Sequence, residues 1–371
     1  MSAPSVLFVS KPIVPPFHDG AKCLVRDVAT RLPACGVAPT VLGTHDAPPL
    51  GAGVTIDRVH PRAGGFAPGL AENARVFARL TRGARADVWH FVFAPNPLSS
   101  GAARAARLLR PTPTVQTVAS APRSFERVGR LLFGDRVVTT SAWTRERLVG
   151  AGADAARVSV VAPTVAPLPA FSQGDLDRAR RDAGVEHHGP LVLYPGDVEM
   201  SCGARVVAGA VPRILASLPD AVVVFACRKK TPRAHEAEQA LRAALAPHGE
   251  RVRFVGEVRD LVPLIAASSV VAFPVDDLYG KVDLPIALLE AMALGVPLVT
   301  LAGGPLGELG ASVELATPDA DRLADACVSL VRDRDRHAEL AARGRGAVAR
   351  RHRPEVAAAA YAELYRALLA R

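Results

Sequence analysis

Residues 273–308 read FPVDDLYGKVDLPIALLEAMALGVPLVTLAGGPLGE, and the punctuation of this stretch decides the fold class. The apolar run 269–273 ends at Pro274, as a buried parallel strand does. A polar loop rich in Asp and Gly follows. Asp283-Leu284-Pro285 then reads as a helix start, with a capping carboxylate and a proline whose fixed φ suits the first turn. Gly295, just past Leu294, is a stop signal, and Pro297 confirms it. A second buried strand, 298–301, runs into Gly303-Gly304.

Inside the short helix stands Glu290, among Leu288, Leu289, Ala291, Met292 and Ala293. A carboxylate in so apolar a run is costly to bury without a partner. Three roles fit it: facing solvent, pairing with a basic neighbour, or accepting from ligand hydroxyls on a helix whose N-terminus can meet an anion.

The composite resembles the nucleotide-sugar half of a family 4 glycosyltransferase, a retaining enzyme of GT-B fold. That family shows a short helix with Glu-Ala-Met-Ala, then Gly-x-Pro-x-Val, then a strand and a Gly-Gly loop followed by Glu. The chain has Glu290-Ala291-Met292-Ala293, Gly295-Val296-Pro297-Leu298-Val299, Gly303-Gly304 and Glu308 in that order. The resemblance implies an α/β protein of two Rossmann-like doubly wound domains facing an interdomain cleft. The acceptor-side domain would be 1–165, with the C-terminal helix 355–371 packing back on it, and the donor domain 166–354. It gives Glu290 the ribose hydroxyls of a nucleoside diphosphate sugar, brings the Gly256 turn to the base and places Gly304 at the donor.

Composition agrees with two soluble α/β domains: 371 residues, 49% hydrophobic but only 5% aromatic. No apolar run approaches the roughly 18 residues that span a bilayer. The N-terminus lacks a basic stretch and cleavage site, and five scattered cysteines read as reduced thiols, so a cytoplasmic location is expected. Net charge is +9, unevenly spread: residues 1–170 hold 20 Lys/Arg against 10 Asp/Glu. That basic half suits an anionic inner-membrane surface or a phosphate-bearing acceptor, and equally a chain that places Arg on any solvated face. No basic-aromatic motif points to nucleic acid.

In the first half, strand 5–10, the turn with Gly20 and a helix at 23–35 open a doubly wound unit. Strands follow at 40–42 and 54–59, a loop at 64–69, and helices at 72–82 and 104–110. Gly20 keeps part of the family's Gly-rich turn, and Lys22 could meet a phosphate or acceptor group. Asp87-Val88-Trp89-His90 resembles the family strand that ends at the cleft, making His90 and Asn96 acceptor-side candidates, although a histidine between aromatics is commonly a core residue. Gln116 stands where many members carry a histidine that meets the donor; it can donate a hydrogen bond but takes no proton near neutrality.

In the second half the family supplies an arginine just after a glycine and a lysine five residues further, clamping the donor pyrophosphate. Here those positions hold Asp197 and Cys202, with Glu199 between them. Two carboxylates near a diphosphate repel it unless other cations intervene. Arg228, Lys229 and Lys230, after the strand 221–226, and Lys281 are candidates to compensate. Val282 replaces the first glutamate of the family's paired motif; Asp283 then either contacts a sugar hydroxyl or only caps the helix. Lys281 and Asp283 are therefore the catalytic candidates, with no metal or cofactor expected. The resemblance implies transfer of a sugar to a glycan or lipid-linked hydroxyl with retention, in surface-polysaccharide assembly or in antibiotic biosynthesis. The altered residues Gln116, Asp197, Cys202 and Val282 suit the alternative, a GT-B binding or scaffold subunit without transfer chemistry.

Overall fold

A computed structural model describes residues 3–15, 17, 19–61, 69–83, 85–186, 188–229 and 231–370. Lys230 and all of the expected 64–69 loop except Gly69 lie outside the described residues. The chain divides into two compact units: unit 1 is Met1–Ala166, Tyr279–Pro285 and Arg351–Arg371; unit 2 is Pro167–Leu278 and Ile286–Arg350.

Unit 1 runs β1 (Ser5–Val9), α1 (Gly20–Arg31), β2 (Ala38–Thr44), β3 (Thr55–His60), α2 (Leu70–Arg82), β4 (Val88–Phe93), α3 (Pro97–Leu109), β5 (Thr114–Val118), β6 (Arg136–Thr139), α4 (Ala142–Gly150) and β7 (Val158–Val160). Its parallel sheet has seven strands in the order β3-β2-β1-β4-β5-β6-β7. The central strands are apolar on both faces because helices cover both. On one face Leu7, Val9, Leu42, Trp89 and Phe91 pack with Leu80 of α2 and Ala103 and Ala106 of α3. On the other, Val6, Phe8, Val88 and Val92 pack with Leu24 and Val28 of α1 and with the C-terminal residues Ala358, Tyr361 and Tyr365.

Unit 2 runs α5 (Gln173–Asp182), β8 (Leu191–Tyr194), α6 (Gly203–Ser217), β9 (Val222–Phe225), α7 (Arg233–Leu245), β10 (Val252–Phe254), α8 (Val262–Ala266), β11 (Val270–Phe273), α9 (Ile286–Leu294), β12 (Leu298–Leu301), β13 (Ser312–Leu315), α10 (Ala320–Arg332) and α11 (Arg334–Arg351). Its six parallel strands are ordered β10-β9-β8-β11-β12-β13. The last helix, α12 (Pro354–Leu369), belongs to unit 1.

The stop at Gly295 takes a defined form. Gly295 has φ +78°, its N–H donates to the Met292 carbonyl, and the Val296 N–H reaches back to Ala291. These paired bonds satisfy the last free carbonyls of α9. Two expectations differ from the structure. The helix expected at 104–110 begins at Pro97, because Asn96 caps it and proline occupies its first turn. The segment Tyr279–Pro285, expected with the second domain, packs within unit 1.

Candidate functional site

In a doubly wound sheet, ligands gather at the carboxyl ends of the strands, where chain order reverses. In unit 2 that reversal falls between β8 and β11, so the loops 195–202 and 274–278 are its walls. Asp276, in the second loop, accepts the Cys202 N–H at 2.9 Å, just before α6. A carboxylate of this chain thus serves the helix N-terminus. Burial and the neighbouring Asp276 push the Cys202 thiol up to about 11, so it is neutral near pH 7.

The acidic residues expected to repel a diphosphate have structural duties. Asp197 is buried; its Oδ1 accepts the Met200 N–H at 3.0 Å, and its carbonyl accepts the Tyr194 hydroxyl at 2.8 Å. It therefore holds the loop in shape. Glu199 Oε1 accepts the Thr231 N–H at 3.0 Å, tying this loop to the one after β9. Arg228 approaches Glu257 at 4.0 Å and Lys229 pairs with Glu238 at 3.2 Å. Arg205, exposed in the first turn of α6, lies close enough to oppose the charge on Asp276. Gly256, at φ +67°, and Gly304, at φ +60°, adopt turns that side chains rarely tolerate. Glu290 is half-buried at the middle of α9, with Leu289 and Ala291 buried beside it. Among the described residues, no three His, Cys, Asp or Glu side chains gather as a metal site.

Unit 1 brings Gly20, Val282, Asp283 and Ser141 together. A Cβ on Gly20 would lie 2.8 and 2.9 Å from the Val282 methyls. Glycine therefore lets residue 282 approach the start of α1. Asp283 is buried and its Oδ2 accepts the Ser141 hydroxyl at 2.6 Å, while Ser141 Oγ accepts the Thr144 N–H of α4. Asp283 thus anchors this segment to Ser141 at the start of α4. Lys281 is half-buried next to it. Lys22 occupies the first turn of α1, its N–H donating to Asp19, which also pairs with Lys11 at 2.7 Å.

Three acceptor-side candidates are engaged by hydrogen bonds within unit 1. His90 is buried, with Nδ1 2.6 Å from the Tyr365 hydroxyl and Nε2 2.7 Å from Thr117 Oγ1. Asn96 caps α3, accepting the Ser99 N–H at 2.9 Å and donating to the Ala94 carbonyl at 3.0 Å. Gln116 is buried: its Oε1 accepts the Phe133 and Gly134 N–H groups, and its Nε2 donates to the Leu131 carbonyl. Each of these polar groups already has its hydrogen-bonding partners in the fold.

Two family models divide the chain between them: "Glycosyltransferase Family 4" matches residues 18–167 and "Glycosyl transferases group 1" matches 189–333. The chain belongs to the family 4 glycosyltransferases of GT-B fold. Similar solved structures include HepE from Anabaena in complex with UDP and glucose, at 16% identity, covering 97% of this chain and 99% of that one, TM-score 0.75. Sucrose-phosphate synthase from Thermosynechococcus elongatus is 19% identical and covers 99% of each chain, TM-score 0.75. WaaG, a glycosyltransferase involved in lipopolysaccharide biosynthesis, is 16% identical over 95% of this chain and 98% of that one, TM-score 0.68. At these identities the likeness shows the fold. No curated protein sequence matches the chain significantly.

In this glycosyltransferase the sequence reading passed over Asp276 and Arg205. A signal existed for Asp276, in the Asp-Asp pair just after a strand, but nothing local tells which N–H it meets. Among the described residues no helix is long and apolar enough to cross a membrane.

Proposed function

We propose that this glycosyltransferase moves a sugar from a nucleoside diphosphate donor to a hydroxyl of a glycan or lipid-linked acceptor, with retention at the anomeric carbon. The bond from that carbon to the distal phosphate oxygen breaks as the acceptor oxygen bonds from the same face. The acceptor proton passes to the departing phosphate oxygen, so atoms and charge balance without a protein nucleophile. The protein's part is positioning and neutralising the leaving diphosphate. Arg205 and Arg228 are the cations in unit 2 for that task.

The observation that carries this reading is Glu290, half-buried in the family's Glu-Ala-Met-Ala helix rather than exposed to bulk water. HepE has been solved with UDP and with UDP-glucose, which supports the same class of donor here. Calorimetric titration of UDP, GDP and ADP tests it. One should bind, and Glu290→Ala should weaken that binding roughly 100-fold, as for two lost hydrogen bonds to a charged group. No binding by any nucleotide overturns the reading.

A second reading rests on Asp276 at the α6 N-terminus and on the buried Asp197 where the family has a cation. In it the chain is a binding subunit without transfer chemistry. Nucleotide binding without donor hydrolysis or transfer to any lipid or glycan hydroxyl would favour it.

A further inference from the structure

Strand β3 is the outermost strand of the unit 1 sheet, and between it and α2 lies an open groove of about 440 Å³. Four arginines line it, Arg58, Arg75, Arg79 and Arg82, against the single carboxylate of Asp57. Val59 and Ala78 are its only apolar lining residues besides Gly83. The groove lies wholly within unit 1 and shares no residue with the loops 195–202 and 274–278.

Arg75, Arg79 and Arg82 stand at i, i+4 and i+7 of α2, so they share one stripe, about 10 Å long at the rise of a helix. Like charges at these spacings destabilise a helix unless something neutralises them. Two of the four arginines are fixed by the fold. Arg79 pairs with Asp57 at 2.7 Å, and Gly83 leaves room for its guanidinium, since a Cβ there would lie 2.7 Å from Nη1. Arg58 donates to the carbonyls of His45 and Ala47, both at 3.0 Å. Arg75 and Arg82 are exposed and form no ion pair among the described residues. Glu72, one turn before Arg75, is not in the lining, and its carboxylate accepts the Gly69 N–H at 2.7 Å. The groove therefore keeps an excess of positive charge that its own walls do not match.

Guanidinium forks suit phosphate, whose terminal oxygens accept from several donors at once, better than a carboxylate with two oxygens. The scarcity of apolar lining disfavours a nucleoside or an acyl chain, which needs a dry wall. The length of the arginine stripe disfavours a single orthophosphate. We propose that the groove between β3 and α2 binds a free, multiply phosphorylated small molecule, at a site separate from the loops of unit 2. Such a ligand spans from the fixed Arg58 and Arg79 to Arg75 and Arg82, and so ties the edge strand to its helix. The proposal goes beyond the donor reading and does not rest on it.

Calorimetric titration of the full-length protein with inorganic tripolyphosphate tests it. Tripolyphosphate should bind at least about tenfold tighter than orthophosphate and should raise the thermal midpoint. Arg75→Gln with Arg82→Gln should weaken it about 100-fold, from about tenfold for each charged donor lost. Arg334→Gln with Arg350→Gln, exposed on α11, removes the same charge and should bind like wild type. Arg205→Gln with Arg228→Gln, in unit 2, should also leave tripolyphosphate binding intact. Arg75 and Arg82 are exposed, and removing like charges from one stripe should leave the midpoint of the ligand-free groove variant at or above wild type, which reports intact folding. No binding by wild type, or binding no tighter than orthophosphate, overturns the proposal. So does a groove variant that binds like wild type, an equal loss in the α11 variant, or a loss confined to the unit 2 variant. Displacement of tripolyphosphate from wild type by phosphatidylglycerol vesicles also overturns it, because lipid headgroups would then fill the groove. Glu290 and its helix are untouched throughout, so failure here leaves the nucleotide titration to stand or fall separately.

Discussion

His90 shows what burial does to a side chain whose residue type suggests chemistry. Its ring is held between the Tyr365 hydroxyl and Thr117, and Thr117 in turn lies 2.9 Å from the Tyr361 hydroxyl. Burial lowers its pKa to about 3 from the ordinary 6.5. The unfolded chain takes up a proton below pH 6.5 that the folded chain refuses until about pH 3. Stability is therefore fully present above 6.5 and is lost as pH falls through that window, by up to about 1.4 kcal/mol per pH unit. His90→Gln removes this dependence. In urea denaturation between pH 6.5 and 5.5, wild type should lose about 1 kcal/mol more than the variant. Equal losses would mean that the imidazole is protonated in the fold, contrary to its buried neutral state.

At the scale of elements, what was legible followed from local signals. The α9 stop could be read because Gly295 supplies φ +78° and Pro297 prevents continuation. The beginning of α3 was missed because Asn96 was read for chemistry and not as a cap. The roles of Gln116, Asp197 and Asp283 depend on the Phe133, Met200 and Ser141 groups they meet, and for Gln116 and Asp283 those groups lie in other elements. Spacing within a motif does not encode such meetings. The same limit applies to Gly20, whose necessity appears only when Val282 lies against it. Gly20→Ala puts a methyl 2.8 Å from a Val282 methyl, which valine must relieve by moving. The expected cost is about 1–3 kcal/mol, the range for overpacking. Val282→Ala in the same chain should recover most of it, giving a coupling of about 1 kcal/mol in a double-mutant cycle read by chemical denaturation. Additive losses would show that the two side chains do not meet.

The whole molecule is threaded so that its last helix belongs to its first unit. After α11 ends at Arg351, the chain resumes at Pro354 and α12 completes the core around β1, β4 and α1. Ala357, Ala358, Tyr361, Ala362 and Tyr365 are buried there, and the two tyrosines complete the His90–Thr117 hydrogen-bond chain. His352 adds a tie, with Nδ1 2.8 Å from the Pro163 carbonyl and its own carbonyl accepting the Val165 N–H. Removing residues 354–371 exposes that face of the sheet and orphans buried polar groups. Burial of two tyrosines and the neighbouring alanines and leucine is worth more than about 5 kcal/mol, comparable with the whole stability of a domain. Unit 2 should keep its six strands and its α6–α10 packing, since α12 and β1 both belong to unit 1. Hydrogen exchange on the truncated chain should find the amides of β1, β4 and α1 unprotected, while β8, β9 and β11 retain native protection. Collapse of protection in both sets would show that the two units fold as one cooperative body. Retention in both would show that α12 contributes little to the core of unit 1.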